Sequence, residues 1–200
     1  MEKESLKIVP LTPEKTNDYL HFFETVLSSD SGEWGYSCYC VSYCGTDNCK
    51  AQGFEQADVR RQGAIEYIQD GFLTGYLAYM DGQVVGWCNA NDRDASRNCY
   101  GLRYLIYGGT VPLIEDDKKI KSVFCFEVAP HMRGRHIATA LLERVIADAA
   151  QDGYAYVEAY PEKEEKDLQH SYAGHKKFYE KMGFAQCGET ECRLVMRKKL

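Results

Sequence analysis

The chain has 200 residues, a length that suits a single domain with a full hydrophobic core. Apolar residues make up 44% and charged residues 27%, which is typical of a globular protein and excludes collagen-like and bulk-disordered classes. The net charge of −6 disfavours nucleic-acid binding and mildly favours a cationic small substrate. No apolar stretch is long enough to cross a bilayer, and the charged start MEKESLK is unlike a signal peptide. We therefore expect a cytoplasmic protein without membrane contact.

The first part of the chain contains short regular elements and one irregular segment. Alternating apolar residues over 5–11 predict an edge strand, and Pro13 then opens an amphipathic helix. Residues 28–53 are rich in Gly, Ser, Cys and Tyr without a clear period, and helical spacing returns over 56–70. We expect a structured loop between two helices, and such an aromatic-rich loop can line a ligand pocket.

Four of the nine cysteines lie in that loop, at Cys38, Cys40, Cys44 and Cys49. Their spacing lacks the paired CxxC knuckles of a structural zinc site, and a cytoplasmic location disfavours disulfides. Reduced cysteines packed as small apolar side chains are the simpler interpretation, so we assign no metal ligand. A redox or metal-binding protein built on this cluster is an alternative.

The middle of the chain contains the clearest turn signal. Two apolar runs, 75–80 and 83–89, flank Asp81-Gly82, a dipeptide strongly favoured in two-residue hairpin turns. The following residues, 91–121, are polar and rich in turn residues, and we predict a loop there.

The C-terminal half alternates strands with helices. Strands are predicted over 122–128, 154–160, 184–188 and 191–198, and helices from Ile137 to near Gly153 and from Tyr172 to Met182. This order predicts a mixed α/β sheet within one domain spanning 1–200.

The stretch FEVAPHMRGRHIATALL, from Phe126 to Leu142, predicts a strand, a tight loop and a helix. A helix N-terminus has unpaired backbone N–H groups and a partial positive charge, which together favour an anion. A polyphosphate could approach that backbone closely, because the loop has two cationic residues, Arg133 and Arg135, and two small ones, Gly134 and Ala138. The spacing matches neither GxxxxGK nor GxGxxG.

From Arg133 to Ala138 the chain resembles the (Q/R)xxGx(G/A) pyrophosphate-binding motif of the GNAT superfamily of N-acetyltransferases. His136 stands where that family most often has glycine; a β-carbon restricts φ, although a helix start accepts any residue and an imidazole can donate to phosphate. A second motif, FYEKMGF over 178–184, resembles the family's Y-x-x-x-G-F helix end. The resemblance extends from about Gly75 to the C-terminus.

Three further elements resemble one branch of that superfamily. They are the Cys-x-Cys element at Cys38, the CFxV strand beginning at Cys125 and the EAYP strand end beginning at Glu158. The branch supplies no substrate assignment.

The resemblance implies a mostly antiparallel mixed sheet flanked by helices and splayed between two central strands, here those ending at Val128 and Tyr160. It also implies acetyl-coenzyme A as cosubstrate. Tyr172 replaces an asparagine that touches the cofactor in many members, and we expect stacking in its place. The implied cofactor-binding residues are Phe126, Val128, Arg133, Gly134, Arg135, His136, Ile137, Ala138 and Tyr172.

Acyl transfer to an amine requires a base for the ammonium and an acid for the departing thiolate. The resemblance places Tyr179 at the general-acid position, and a tyrosine pKa of about 10 suits proton donation to a thiol's conjugate base; a core tyrosine is the alternative. Glu127 and Glu158 are candidate bases, because a carboxylate inside an apolar strand is seldom buried unless paired or functional. Glu127 is our first choice, and a water-mediated base or His175 are other options.

We therefore predict an enzyme that transfers acetyl from acetyl-coenzyme A to a primary amine of a small molecule by direct attack. An acyl-coenzyme A-binding sensor without catalysis is the alternative, motivated by His136 and Tyr172. Residues 28–53 and 91–121 are the expected acceptor-side loops. The oligomeric state is open, and a homodimer is one candidate.

Overall fold

A computed structural model describes residues 5–27, 38–44, 56–108, 118–163 and 172–200. The strands are β1 (Leu6–Pro10), β2 (Gly75–Met80), β3 (Gln83–Asp92), β4 (Ile120–Val128), β5 (Tyr156–Ala159), β6 (Ala185–Glu189) and β7 (Leu194–Lys199). The α-helices are α1 (Thr16–His21), α2 (Ala57–Gln69), α3 (Arg93–Ser96), α4 (Ile137–Gln151) and α5 (Lys176–Lys181). No helix within these described ranges is long and apolar enough to cross a membrane.

The strands form one seven-stranded sheet in the order β1-β2-β3-β4-β5-β7-β6. The β4–β5 pair is parallel, and the other neighbouring pairs are antiparallel. This confirms the predicted mixed α/β class, with a mostly antiparallel sheet flanked by helices. The first strand lies at an edge of the sheet, as its pattern predicted.

The predicted hairpin joins β2 to β3. Asp81 and Gly82 have φ angles of 49° and 81°, so both central residues are left-handed, as a type I′ turn requires. However, β3 continues beyond residue 89, where we had ended the strand, and pairs with β4 as far as Asp92. The polar residues at the end of β3 made this extension look like a loop in the sequence. In the structure Asn89 and Asn91 are buried, and the Asn91 amide donates a hydrogen bond to Asn89 at 2.8 Å.

The predicted loop over 91–121 is partly regular, which corrects the sequence interpretation. It contains α3, whose N-terminus the Asp92 carboxylate caps by accepting from the N–H groups of Asp94 and Ala95. A π-helical turn, Gly101–Ile106, follows. Residues 109–117 lie outside the described part of the chain, as do most of the predicted loop residues 28–53.

Successive residues of β3 face different helices. An added Cβ at Gly86 would lie 2.8 Å from Ile137 of α4, so glycine lets that helix pack closely on the sheet. The next residue, Trp87, is buried against Tyr19 of α1, with ring centroids 4.9 Å apart. Because side chains alternate along a strand, α4 and α1 cover opposite faces. Phe126 contacts Phe178 of α5, which therefore lies on the α4 face.

The sheet opens between β4 and β5. These strands pair from Ile120–Tyr156 to Val123–Ala159, where β5 ends, while β4 continues to Val128. A register shift in the β3–β4 ladder occurs at the same level, between Asn89 and Ala90. Beyond Val123, within the described residues, β4 pairs with β3 alone, so its other edge faces the opening.

Candidate active site

The loop between β4 and α4 has the geometry of an anion site. No side chain in the described ranges caps the N-terminus of this 15-residue helix. Helical geometry leaves the N–H groups of Ile137 and Ala138 without partners inside the helix. Gly134 has a φ of 78°, and an added Cβ there would meet no heavy atom within 4 Å, so the space before the helix is open. Arg133 and Arg135 flank this glycine and are exposed, which suits contact with a soluble anion.

His136 is the N-cap of α4 and has φ 62° and ψ 20°, a left-handed conformation. We had expected a helix start that accepts any residue, and that expectation is wrong. This position requires positive φ, which explains physically why glycine is favoured there in the resembling motif. The His136 β-carbon therefore adds strain, while its exposed imidazole lies beside the uncapped helix end.

The free edge of β4 presents backbone donors to the opening. The Phe126 N–H points away from β3 and donates to the Tyr172 carbonyl at 2.7 Å. Backbone amides alternate between the two edges of a strand, so the Val128 N–H points to the same side. Tyr172 itself lies outside a helix, since α5 begins only at Lys176; the predicted start of this helix at Tyr172 is therefore wrong. Gly174, with a φ of 74°, separates the two.

Tyr179 lies on α5, the helix that contacts Phe126 through Phe178. Its side chain is fully buried, with its ring packed against Phe178 and Phe184. Its hydroxyl donates to the Ala173 carbonyl at 2.8 Å. Burial raises the pKa of Tyr179 well above its ordinary value, so the hydroxyl stays protonated. The residue combines the packing of a core tyrosine with a hydroxyl bonded to Ala173, next to the residue that holds the Phe126 N–H.

Glu127 faces the opposite side of the sheet from the Phe126 ring. It lies across from Trp87 on β3 and is only 8% exposed. It is close to the thiol of Cys125, two residues earlier on the same face: hydrogen bonding to Cys40 lowers the pKa of Cys125, but burial and the Glu127 charge outweigh it and raise the pKa to about 11. Glu127 is thus a nearly buried carboxylate on the α1 side of the opening.

Glu158, the second candidate base, is held in a buried ion pair. Its side chain is fully buried, and one oxygen accepts two hydrogen bonds from the Arg197 guanidinium at 2.6 and 2.8 Å. The other oxygen accepts from the Tyr160 hydroxyl at 2.7 Å and lies 3.8 Å from Arg93. A carboxylate held in this way by two cations and a hydroxyl is poorly placed to take a proton from a substrate.

His175 also has a structural role. It is the N-cap of α5, and its Nδ1 accepts from the Phe178 N–H at 3.2 Å. This bond occupies the ring nitrogen that faces the helix, so the optional assignment of His175 as a base is not supported.

The described cysteine segment, residues 38–44, packs on the same face of the sheet as Glu127. The Cys40 sulfur lies 3.5 Å from that of Cys125 and accepts from the Trp87 indole at 3.3 Å. Cys44 is also buried, as the apolar interpretation requires, whereas Cys38 is exposed. No group of three potential ligands among the described residues could hold a metal ion, and Cys49 lies outside those residues.

The two arginines that pair with Glu158 were not identified from the sequence. Arg197 is 39 positions from Glu158 and meets it only because β5 pairs with β7. Arg93 reaches the same carboxylate from α3, which we had interpreted as loop. No local sequence signal identifies either arginine, although a buried glutamate in an apolar strand does indicate that a cation is near.

Replacing His136 by glycine tests the strain at the α4 N-terminus. We expect His136→Gly to raise the free energy of unfolding by up to about 1 kcal/mol, because glycine adopts positive φ without the β-carbon penalty. His131→Gly is the control, since His131 lies in a right-handed turn and should lose stability instead. Urea denaturation measures both; equal losses would contradict the strain assignment.

Glu158→Gln tests the buried ion pair. We expect the free energy of unfolding to fall by about 3–5 kcal/mol, because Arg197 and Arg93 would keep their buried charges without a carboxylate. Glu162→Gln is the matched control: Glu162 is half exposed and pairs with Arg193 at 3.2 Å, so its loss should cost under about 1 kcal/mol. Comparable stabilities for both variants in urea would show that Glu158 does not anchor the sheet.

Comparison with known proteins agrees with this geometry. The Acetyltransferase (GNAT) family model matches residues 46–184. No curated protein matches the chain.

Several solved structures share the fold. A putative GNAT-family acetyltransferase from Desulfovibrio desulfuricans is 17% identical, with 98% of this chain and 99% of that chain covered and a TM-score of 0.56. The PaiA N-acetyltransferase from Thermoplasma acidophilum, solved in complex with coenzyme A, is 15% identical with the same coverage and TM-score. The GNAT domain of S. lividans PAT is 18% identical, with 98% and 90% covered and a TM-score of 0.56. Since the family match covers more than half of the chain, the protein belongs to the GNAT family of acetyltransferases.

Proposed function

We propose that the protein transfers an acetyl group from acetyl-coenzyme A to a primary amine of a small molecule. One observation carries the proposal: β4 has an edge beyond Val123 that pairs with no described strand, and the loop after β4 leads directly to an α4 N-terminus without a side-chain cap. A thioester that carries a pyrophosphate needs both features, an extended edge for its amide-containing arm and an anion site for its phosphates. The similarity to a structure solved with coenzyme A supports this choice of acyl donor.

The phosphate end is assigned to the loop before α4. Residues from Arg133 to Ala138 combine two guanidinium groups, an open glycine and unpaired helix N–H groups. His136 is exposed at this helix start, whereas the Ile137 side chain is buried and only its backbone N–H is proposed to contact the phosphates. The thioester end is assigned to the Phe126 and Val128 N–H groups, whose proposed role is to polarise the acyl oxygen as charge develops.

Tyr179 and Glu127 are the proposed proton donor and acceptor. The Tyr179 hydroxyl bonds to the residue next to Tyr172, which holds the Phe126 N–H, and it stays protonated because burial raises its pKa. It therefore carries a proton for the departing thiolate, although the raised pKa makes it a weaker acid than an exposed tyrosine. Glu127 lies on the face of the sheet that α1 covers, opposite to the face of Phe126. The proposed acceptor amine would therefore approach from the α1 face. Direct attack then needs only these two proton transfers, one on each side of the strand.

The acceptor is proposed to be a small amine that is cationic before deprotonation. The chain has a net charge of −6, which favours the approach of a cation. The proposed acceptor-side loops, 28–53 and 91–121, include the described residues 38–44 and 91–108, which are rich in tyrosine and cysteine. An apolar portion on the amine would find compatible contacts there.

Calorimetric titration with acetyl-coenzyme A tests the proposal directly, and absence of binding would overturn it. An acyl-coenzyme A sensor without turnover is a second candidate, because the Phe126 and Tyr179 donors are both occupied by protein carbonyls. Thiol release from acetyl-coenzyme A with any amine in a broad panel would exclude the sensor.

The phosphate loop is tested by removing its two arginines. We expect Arg133→Ala combined with Arg135→Ala to weaken acetyl-coenzyme A binding at least tenfold, since each charge-assisted contact contributes roughly 1.5–3 kcal/mol. The charge-matched control is Lys7→Ala combined with Arg61→Ala, which removes two cations from other surfaces. Equal dissociation constants for the two double variants would remove the phosphate site from this loop.

Tyr179→Phe tests the proton donor. We expect turnover to fall by ~100-fold or more, while the ring packing is kept. The free energy of unfolding should fall by no more than about 1–3 kcal/mol, the cost of the lost hydrogen bond to Ala173. Because the pKa of Tyr179 is raised well above 10, wild-type turnover should not fall through Tyr179 ionisation as pH rises toward 10. Full turnover with reduced stability would instead identify a purely structural tyrosine.

Glu127→Gln tests the proton acceptor. A carboxylate base is active only when ionised, so the wild-type rate should fall as pH falls through its titration. We expect Glu127→Gln to lower kcat and to remove or displace this acidic limb, because an amide cannot accept the proton. A variant that keeps both the rate and the pH profile of wild type would exclude Glu127.

A further inference from the structure

Residues Tyr172, Ala173 and Gly174 form a short segment against the opening, just before α5. The Tyr172 carbonyl accepts from the Phe126 N–H at 2.7 Å. The next carbonyl along the chain, that of Ala173, accepts from the Tyr179 hydroxyl at 2.8 Å. Two consecutive carbonyls therefore accept from the two donors of the proposed site. In the proposed function, the Phe126 N–H binds the acyl oxygen and the Tyr179 hydroxyl protonates the thiolate.

The conformation of this segment depends on Gly174. Its φ of 74° turns the chain so that Ala173 approaches the Tyr179 hydroxyl. An added Cβ at Gly174 would lie 3.0 Å from Cε2 of the Tyr179 ring and 3.2 Å from its hydroxyl oxygen. Glycine is thus favoured by both the left-handed backbone and the close approach of the Tyr179 ring.

The donors cannot serve two acceptors well at once. A backbone N–H has one proton, and so does a tyrosine hydroxyl. While Tyr172 holds the Phe126 N–H, that edge of β4 is closed to an acyl oxygen at the same position. While Ala173 accepts from Tyr179, the Tyr179 proton points at the protein backbone.

Little burial opposes movement of the segment. The Tyr172 side chain is 47% exposed, and Ala173 and Gly174 are half-buried. The first turn of α5 starts only at Lys176, after the His175 cap, so the segment can shift without breaking helical hydrogen bonds.

We propose that Tyr172–Gly174 is a positioning segment that competes with the cofactor: it holds the Phe126 N–H and the Tyr179 hydroxyl in the free protein and yields both when the acyl donor occupies the β4 edge. The inference rests on the proposed function. Since Tyr172 and Ala173 are neighbours, displacement of one carbonyl moves the other, so the acid becomes available only in the cofactor-bound protein. The free protein then binds coenzyme A more weakly than an open segment would allow.

Coenzyme A titration of Tyr179→Phe tests this competition. Loss of the hydroxyl removes one bond that holds the segment closed, so we expect coenzyme A to bind about two- to fivefold more tightly while turnover falls. A tyrosine with only a structural role would not move affinity and turnover in opposite directions. Tyr19→Phe is the matched control, because the buried Tyr19 hydroxyl donates to the Tyr39 backbone carbonyl at 2.6 Å on the other face of the sheet.

Gly174→Ala keeps the Tyr179 hydroxyl and pushes the segment away from it, because the added Cβ crowds the Tyr179 ring and hydroxyl oxygen. We expect tighter coenzyme A binding and faster hydrogen exchange of the Phe126 amide in the free protein. Gly71→Ala is the control, since Gly71 has the same φ of 74° but nothing within 4 Å of an added Cβ. If Tyr179→Phe folds poorly, comparison of coenzyme A binding by Gly174→Ala and Gly71→Ala still tests the competition.

The outcomes separate the two proposals. Wild-type protein that binds no coenzyme A overturns the proposed function and this inference with it. Wild-type protein that binds coenzyme A, with unchanged or weaker binding in Gly174→Ala, overturns this inference alone.

Discussion

The buried ion pair between Glu158 and Arg197 fixes where the sheet opens. Glu158 belongs to the penultimate pair of the β4–β5 ladder, opposite Ser122, and the Tyr160 hydroxyl bridges the two side chains at 2.7 Å each. A buried carboxylate is stable only with such partners, so β5 is held against β4 and β7 at this level. Immediately beyond it, β5 ends and the edge of β4 is released. The proposed thioester position therefore depends on a charge that takes no part in the proposed chemistry.

Because side chains alternate along β4, the proposed acid and the proposed base lie on opposite faces of the sheet. The Phe126 ring packs on α5, which carries Tyr179, while Glu127 points to the α1 face beside Trp87. The backbone between them presents N–H groups to the opening. In the proposed reaction, the acid and the base thus act from opposite faces of one strand, and the acyl group lies at its edge. This arrangement separates the two proton transfers without requiring the two side chains to share one pocket.

Features that depend on local pattern were predictable from the sequence, whereas features that depend on pairing between distant strands were not. The Asp81-Gly82 hairpin and the strand–loop–helix around Arg133 follow from turn chemistry and periodicity. Glu127 and Glu158 look alike in sequence, and only Arg197, brought close by β5–β7 pairing, distinguishes them. The His136 conformation was also hidden, because φ is set by the path from the turn into α4 rather than by the residue itself.

Two features of the free protein lie where the proposed cofactor binds. His136 places a β-carbon at a left-handed position where the proposed pyrophosphate binds, and Tyr172 presents a carbonyl to the Phe126 N–H where the proposed thioester binds. Neither feature removes the Phe126 N–H, Glu127 or Tyr179. His136 adds strain to the unliganded protein. The competing hydrogen bond at residue 172 comes from the path of the backbone and not from the tyrosine side chain, because every residue has a main-chain carbonyl. In the proposed function, both features change how tightly the acyl donor binds and leave the groups proposed for the chemistry in place.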